Sequence, residues 1–188
     1  MGLDPLTKNA VLKAIPGLRA FALALCRDRD RADDLVQETL LRALTSIDSF
    51  RPGTNMSAWL VTILRNHFRS ECRKLWRNVE DVDGRWAESL KSAADQDDAM
   101  GFDDLCEALD ELPIAQREAI VLVAGSGYSY EETARICECP VGTIRSRLNR
   151  ARARLAELLS IDGLEDLGPD PKTRAVLYGA QPAAALAH

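Results

Sequence analysis

The sequence predicts an all-α fold, with two small helical domains joined by an acidic linker. Alanine, leucine and arginine dominate and aromatic residues make up only 5%, a composition that favours helices over sheets. Charge is sorted along the chain: residues 64–77 hold five basic groups and one acidic, and residues 79–112 hold twelve acidic groups and two basic. Within the acidic stretch, residues 89–104 are poor in large apolar groups, as flexible linkers are. The predicted parts are domain one at 1–78, the linker at 79–101, domain two at 102–160 and a loose tail at 161–188.

Three helices are predicted before residue 50. The first runs from Pro5 to about Leu12, the second opens at Pro16 and ends near Arg27, and the third begins after Asp30. Apolar spacing on the third helix predicts an inward face of Ala32, Val36, Leu40, Ala43 and Ile47. The opposite face carries Asp34, Gln37, Glu38, Leu41, Arg42 and Thr45. An exposed leucine among charged groups favours a protein contact over a merely solvated face, although solvation stays an alternative.

A loop with Pro52 and Gly53 follows, and Ser57 is the expected N-cap of the next helix. Spacing on this helix predicts an inner side of Leu60, Ile63, Leu64 and His67. The predicted outer side shows Thr62, Arg65, Asn66, Arg69, Arg73 and Trp76. Cations interleaved with an amide and an aromatic ring suit unpaired or melting DNA, where phosphates need cations and bases need stacking or amide partners. Trp59 is expected in the core, and Trp76 fits either role.

The segment from Tyr128 to Leu159 predicts a helix-turn-helix, whose second helix is suited to a DNA major groove. Its packing positions are Ala134, Cys137, Cys139, Ile144 and Leu148, with a break at 138–140, where Glu138 occupies a position that usually requires glycine. The second helix should bury Ile144, Leu148, Ala151 and Leu155. It should expose Gly142, Ser146, Asn149 and Arg150 with Thr143 beside them, flanked by Arg145 and Arg152 on one side and Arg147 and Arg154 on the other. A solvated basic helix of an ordinary bundle is the alternative, but the arginines are ordered by face, as phosphate contacts would require.

Composition argues against several other classes of protein. The five cysteines are scattered and odd in number, so neither a disulfide framework nor a metal site is expected. The chain shows no phosphate-binding glycine loop, no zinc-ligand cluster and only two histidines, His67 and His188, so we expect no enzyme and no cofactor. Neither eighteen consecutive apolar residues nor a signal segment is present, which predicts a cytoplasmic protein without a membrane contact.

Two blocks, residues 31–74 and 112–155, resemble extracytoplasmic-function (group 4) RNA polymerase sigma factors. Within that family, the motifs GTNMSAW, ILRNHF and AGSGYSYEETARICECPVGTIRSR are most similar to the general stress response class of alphaproteobacteria, EcfG. The resemblance implies a protein that binds core RNA polymerase and directs it to promoters, with sigma region 2 in the first domain and region 4 in the second.

The resemblance also implies roles for individual positions. Asp34, Gln37, Glu38, Leu41 and Arg42 would bind the clamp helices of the polymerase β′ subunit. The loop from Gly53 to Met56 would capture a flipped base of the −10 element, with Asn55 as first candidate and Arg65, Asn66, Arg69 and Arg73 along the strand. The −35 duplex would be read by Thr143, Arg145, Ser146, Arg147, Asn149 and Arg150.

Sigma factors of this class are held inactive by a small helical anti-sigma factor of NepR type, which a PhyR-type response regulator titrates. One alternative is therefore a sigma-like mimic that binds the anti-sigma factor without promoter activity. The DNA-facing arginines and the lack of a receiver domain after the helix-turn-helix count against it. A stand-alone helix-turn-helix regulator is another alternative, but it would need a dimerisation segment, and the chain is expected to be a monomer when free.

Overall fold

A computed structural model describes residues 4–79 and 100–160, and the side chains of residues 4–74 and 104–160. The regular structure of these residues is entirely helical, and the chain divides into two compact units. Unit 1 contains α1 (Pro5–Cys26), α2 (Arg29–Thr45), a short 3-10 turn (Ile47–Ser49) and α3 (Met56–Val79). Unit 2 contains α4 (Met100–Asp110), α5 (Ile114–Ile120), α6 (Tyr130–Ile136) and α7 (Val141–Leu159). The predicted tail and residues 80–99 of the predicted linker lie outside the described residues.

Helix α1 is continuous, so the predicted break at Pro16 is wrong. The helix begins where the Asp4 carboxylate accepts hydrogen bonds from the backbone N–H groups of Leu6 and Thr7, with Pro5 in the first turn. Pro16 lies on the exposed side, where loss of its N–H and the steric conflict of its ring cost roughly 3 kcal/mol. Burial of the opposite face, which includes Leu18 and Phe21, outweighs that cost.

The core of unit 1 lies where α1, α2 and α3 pack against one another. Its fully buried side chains include Leu18, Phe21, Leu60 and Leu64. By length and composition alone α1 could cross a membrane. From Leu18 onward, most of its large apolar side chains are buried in this core, as is typical of a helix that packs inside a protein domain.

The inward face of α2 is rotated slightly from the predicted one. Ala32, Val36 and Ala43 are buried as predicted, but Leu40 and Ile47 are only half-buried. Leu35 and Thr39 are buried in addition. The Thr39 hydroxyl donates to the Leu35 carbonyl at 2.7 Å, which satisfies a polar group that the apolar pattern could not place inside.

Unit 2 is built around α7, against which α4, α5 and α6 all pack. Helix α5 continues into a π-helical turn, Val121–Gly125, whose five residues are all buried. The Ser126 N–H donates to the Val121 carbonyl at 2.8 Å, the wide spacing of a π-turn. This turn leads directly into the helix-turn-helix and was not predicted from the sequence.

Candidate functional site

Local capping defines the helix-turn-helix of α6 and α7. At the start of α6 the Ser129 hydroxyl accepts from the Glu132 N–H at 3.1 Å, and the Glu132 carboxylate accepts from the Ser129 N–H at 3.0 Å. This reciprocal capping box fixes the first turn. Between the helices Glu138 has a φ of 52°, which confirms that it stands where glycine is usually favoured. Pro140 then precedes the first residue of α7.

Helix α7 has the two faces predicted for a recognition helix. Its buried residues are Ile144, Leu148, Ala151 and Leu155, all at most 1% exposed. The opposite face exposes Gly142, Ser146, Asn149 and Arg150, with Arg145 exposed beside them and Thr143 and Arg147 half-buried. All six candidate −35 residues therefore lie on or beside one accessible surface. Short polar groups and arginines there can donate to base edges and phosphates in a major groove.

Several arginines of α7 are held by contacts within the helix-turn-helix. Arg150 donates from Nε to the Ser146 carbonyl at 3.2 Å and from Nη2 to the Ser146 hydroxyl at 3.3 Å. Arg147 Nη1 lies 3.7 Å from Cys139 Sγ. Cys139 is half-buried, so its predicted core position is wrong, because its sulfur faces Arg147 at the rim; Cys137 is buried as predicted. These contacts limit the freedom of two candidate DNA-binding side chains before any DNA is present.

The exposed side of α3 carries most, but not all, of the predicted cations. Asn66 and Arg73 are exposed and Arg69 is half-buried. Arg65 is only 2% exposed, so its predicted place on the outer face is wrong. Its Nη1 donates to the side-chain oxygen Oδ1 of Asn66 at 3.2 Å.

The misplacement of Arg65 comes from a shift of the inward face of α3 by about one residue. Val61, Leu64, Arg65 and Phe68 form a buried set at helical spacing. The predicted set instead included Ile63 and His67, which are half-buried. The pattern missed both Val61 and Phe68 as buried residues; the centroid of the Phe68 ring lies 6.0 Å from the Arg31 guanidinium. The side chain of Trp76 lies outside the described residues.

The loop before α3 contains a tight, hydrogen-bonded turn. The Thr54 N–H and hydroxyl both donate to the Arg51 carbonyl, at 3.2 Å and 2.7 Å. Gly53 has a φ of 86°, a value that side chains disfavour. The Phe50 and Trp59 rings pack against each other in a tilted arrangement, with 5.3 Å between centroids and 54° between their planes. Trp59 is half-buried, where the sequence predicted a core residue.

Asn55 is the N-cap of α3, in place of the predicted Ser57. Its side-chain oxygen accepts from the Ala58 N–H at 3.1 Å, and its backbone carbonyl accepts from the Trp59 N–H at 3.1 Å. A base recognised by this side chain would therefore meet an amide whose oxygen already accepts one hydrogen bond from the helix. One residue thus combines capping with the position expected for base capture.

The exposed face of α2 lies as predicted. Leu41 is 60% exposed, and Leu44, which the prediction did not include, is 47% exposed. Asp34, Gln37 and Arg42 are exposed and Glu38 is half-buried. The Glu38 carboxylate accepts from Arg42 Nε at 2.8 Å. Leu41 and Leu44, at i and i+3, form an apolar patch whose polar rim includes the Glu38–Arg42 ion pair, as protein interfaces have. We call this surface the α2 patch; it consists of Asp34, Gln37, Glu38, Leu41, Arg42 and Leu44.

Two family models match this chain, one in each unit. Sigma-70 region 2 matches residues 11–78, and Sigma-70 region 4 matches residues 103–155. The ECF RNA polymerase sigma factor EcfG of Rhodopseudomonas palustris is 58% identical over 179 residues, which cover 95% of this chain and 99% of the relative. The ECF RNA polymerase sigma factor SigC of Mycobacterium tuberculosis is 38% identical over 80% of this chain and 78% of its own.

A solved structure is similar to this chain as well. It contains the sigma factor RpoE of Bartonella quintana in complex with the anti-sigma factor NepR. The RpoE chain is 49% identical, with a TM-score of 0.75, and the match covers 83% of this chain and 98% of that one. The two family models, one in each unit, agree with the two-unit architecture.

Proposed function

The chain belongs to the ECF RNA polymerase sigma factors, and we propose that its two units divide promoter recognition between them. As a sigma factor it is not an enzyme: it binds core RNA polymerase, which makes the phosphodiester bonds, and supplies the choice of promoter. In our proposal residues 1–78 bind polymerase and the −10 element, residues 79–101 connect the domains, residues 102–160 read the −35 element, and residues 161–188 are a tail.

The observation that carries the −35 assignment is the division of α7 into two faces. One face is buried in unit 2 and consists of Ile144, Leu148, Ala151 and Leu155. The other presents Thr143, Arg145, Ser146, Arg147, Asn149 and Arg150 to the surroundings. A helix with this division can enter a major groove, where bidentate arginine and amide contacts discriminate bases by about 1–3 kcal/mol each.

Unit 1 is proposed to open and hold the −10 element. Flipping a base costs a few kcal/mol of stacking and pairing, and a pocket that binds the flipped base offsets this cost. The loop from Gly53 to Met56 is proposed to hold the flipped base, with Asn55 as the first candidate for contact and Asn66, Arg69 and Arg73 along the adjacent face of α3. Arg65, being buried, is proposed to support Asn66 from beneath through their 3.2 Å hydrogen bond.

The α2 patch is proposed to bind the clamp helices of the polymerase β′ subunit, through Asp34, Gln37, Glu38, Leu41 and Arg42. Leu41 lies inside a rim of polar side chains, and in such an interface the apolar contact at the centre supplies most of the binding energy. We further propose that a small helical anti-sigma factor of NepR type restrains the protein in the cytoplasm until a stress signal releases it. Support for this comes from the likeness to the RpoE chain of the NepR complex.

The experiment that tests this function is transcription in vitro with bacterial core polymerase, the purified protein and a promoter library randomised at −35 and −10. We expect transcripts that depend on the protein and are enriched for one bipartite motif. If the folded protein supports no transcription but binds a NepR-type protein, the chain would be a sigma-like mimic. Stable, specific binding to DNA without polymerase would instead favour a stand-alone regulator.

A further inference from the structure

The exposed face of α7 contains a chain of hydrogen bonds that ends at Arg150. The Ser146 hydroxyl donates to the Thr143 carbonyl at 2.9 Å. The same hydroxyl accepts from Arg150 Nη2 at 3.3 Å, and the Ser146 carbonyl accepts from Arg150 Nε at 3.2 Å. A hydroxyl has one hydrogen to donate and two lone pairs that accept. The single hydrogen of Ser146 is therefore engaged within the helix.

These contacts use one edge of the guanidinium. Of its five N–H donors, the Nε–H and one on Nη2 are directed at Ser146. The remaining three are on the Nη1 and Nη2 groups at the tip of the side chain. That terminal edge has the two-pronged shape that pairs with the O6 and N7 acceptors of guanine in the major groove.

We propose that Ser146 is a positioning residue, which sets the orientation of Arg150 for guanine and does not itself read a base. This proposal rests on the −35 role of α7. Arginine has many rotamers, and restricting them before binding reduces the entropy that ordering costs in the complex. The base preference attributed to Arg150 should therefore depend on a hydroxyl one helical turn away.

The test measures base preference at every −35 position, using holoenzyme assembled from core polymerase and the full chain. The variants are R150A, S146A, S146T and the double variant S146A/R150A. R150A should lose a guanine preference of about fivefold or more at one position. S146A should weaken the same preference by about threefold, the order of one hydrogen bond, and leave other positions unchanged. S146T keeps a hydroxyl that can bond the carbonyl of the preceding turn. It should therefore retain the wild-type guanine preference that S146A weakens.

In the R150A background, adding S146A should change nothing further, because the residue that it positions is absent. A preference lost by S146A at a different position from R150A would make Ser146 a direct reader and overturn the proposal. Additive losses, an unchanged S146A profile, or an R150A variant that keeps every preference would also overturn it. A wild-type holoenzyme that selects no −35 motif at all would instead contradict the proposed function of the unit.

Discussion

Glu138, in the turn between α6 and α7, holds a backbone conformation that costs an L-residue roughly 1–2 kcal/mol. Glycine avoids that strain but loses more conformational entropy on folding, by about 0.5–1 kcal/mol. We therefore expect E138G to stabilise the protein modestly, by about 0.5–1 kcal/mol. Glu131, an exposed residue in the first turn of α6, provides the matched control: E131G should destabilise by about 1 kcal/mol. Denaturant unfolding of both variants tests this, and a loss of stability in E138G would show that the glutamate side chain matters more than its backbone angle.

Cys26 at the end of α1 links the stability of unit 1 to alkaline pH. Burial, opposed by nearby Arg31, raises the pKa of its thiol from 9.0 to about 12. Between these values the thiol ionises in the unfolded chain but stays protonated in the folded one, so unfolding becomes easier as pH rises. The contribution approaches about 1.4 kcal/mol per pH unit.

The prediction is checked by comparing the free energy of unfolding of the wild type and C26A between pH 8 and 10.5. Subtracting C26A removes the titration of tyrosines and lysines, which both proteins share. The difference should change little near pH 8, and above about pH 9 the wild type should lose stability relative to C26A as pH rises. Parallel curves over the whole range would contradict a buried, protonated thiol.

Among the elements, α3 shows how a functional residue can also define where a helix starts. Asn55 caps α3 with its side-chain oxygen and is also the candidate for base capture, so N55A should impair both roles. We expect it to lose about 1 kcal/mol of stability and to reduce use of the −10 element. N55D keeps a capping oxygen but replaces the amide donor with a negative charge beside DNA, so it should retain stability and still lose −10 use.

The two properties of Asn55 are measured separately, by denaturant unfolding and by transcription from promoters with an altered −10 element. N55S, a good cap without an amide, is the second control and should behave like N55D. If N55D and N55S both transcribe as well as the wild type, Asn55 is a cap alone. Binding to core polymerase should be the same in all three variants, since the α2 patch is unchanged.

A comparison of α7 with α3 shows when residue spacing is enough to predict the buried face of a helix. The faces of α7 followed from spacing alone because Ile144, Leu148, Ala151 and Leu155 are its apolar stripe and arginines occupy most of the rest. On α3 the pattern was ambiguous: Val61 and Ile63 are both apolar and next to the same leucines, so a shift of one residue changes which polar group is buried. Arg65 was therefore misplaced, and only the packing of α1 and α2 against α3 decides between the two registers.

At the scale of the whole molecule, composition and the charge pattern predicted two helical domains, and the described residues divide into two helical units. The continuity of α1 through Pro16 and the π-turn after α5 were beyond prediction. In both cases burial of a helix face outweighs a local defect in hydrogen bonding, and burial depends on residues distant in sequence. Site residues on exposed faces were thus easier to place than those whose neighbours belong to another helix.

Polymerase association is a property of the whole chain, and the α2 patch predicts where it can be broken. Leu41 is 60% exposed, so L41D should leave the fold intact while placing a charge at the centre of an apolar contact. We expect affinity for core polymerase to fall by about 2 kcal/mol or more, roughly 30-fold. Leu6 on α1 is 83% exposed and outside the patch, which makes L6D the matched control for an added charge.

Binding of the labelled proteins to core polymerase, with circular dichroism to verify folding, separates the two variants. L6D should bind like the wild type because Leu6 contacts no proposed partner. L41D should remain helical and fail to bind at concentrations that saturate the wild type, and its transcription should be lost at every promoter irrespective of −10 or −35 sequence. A folded L41D that binds normally would exclude Leu41 from the interface, and an equal loss in L6D would attribute the effect to net charge.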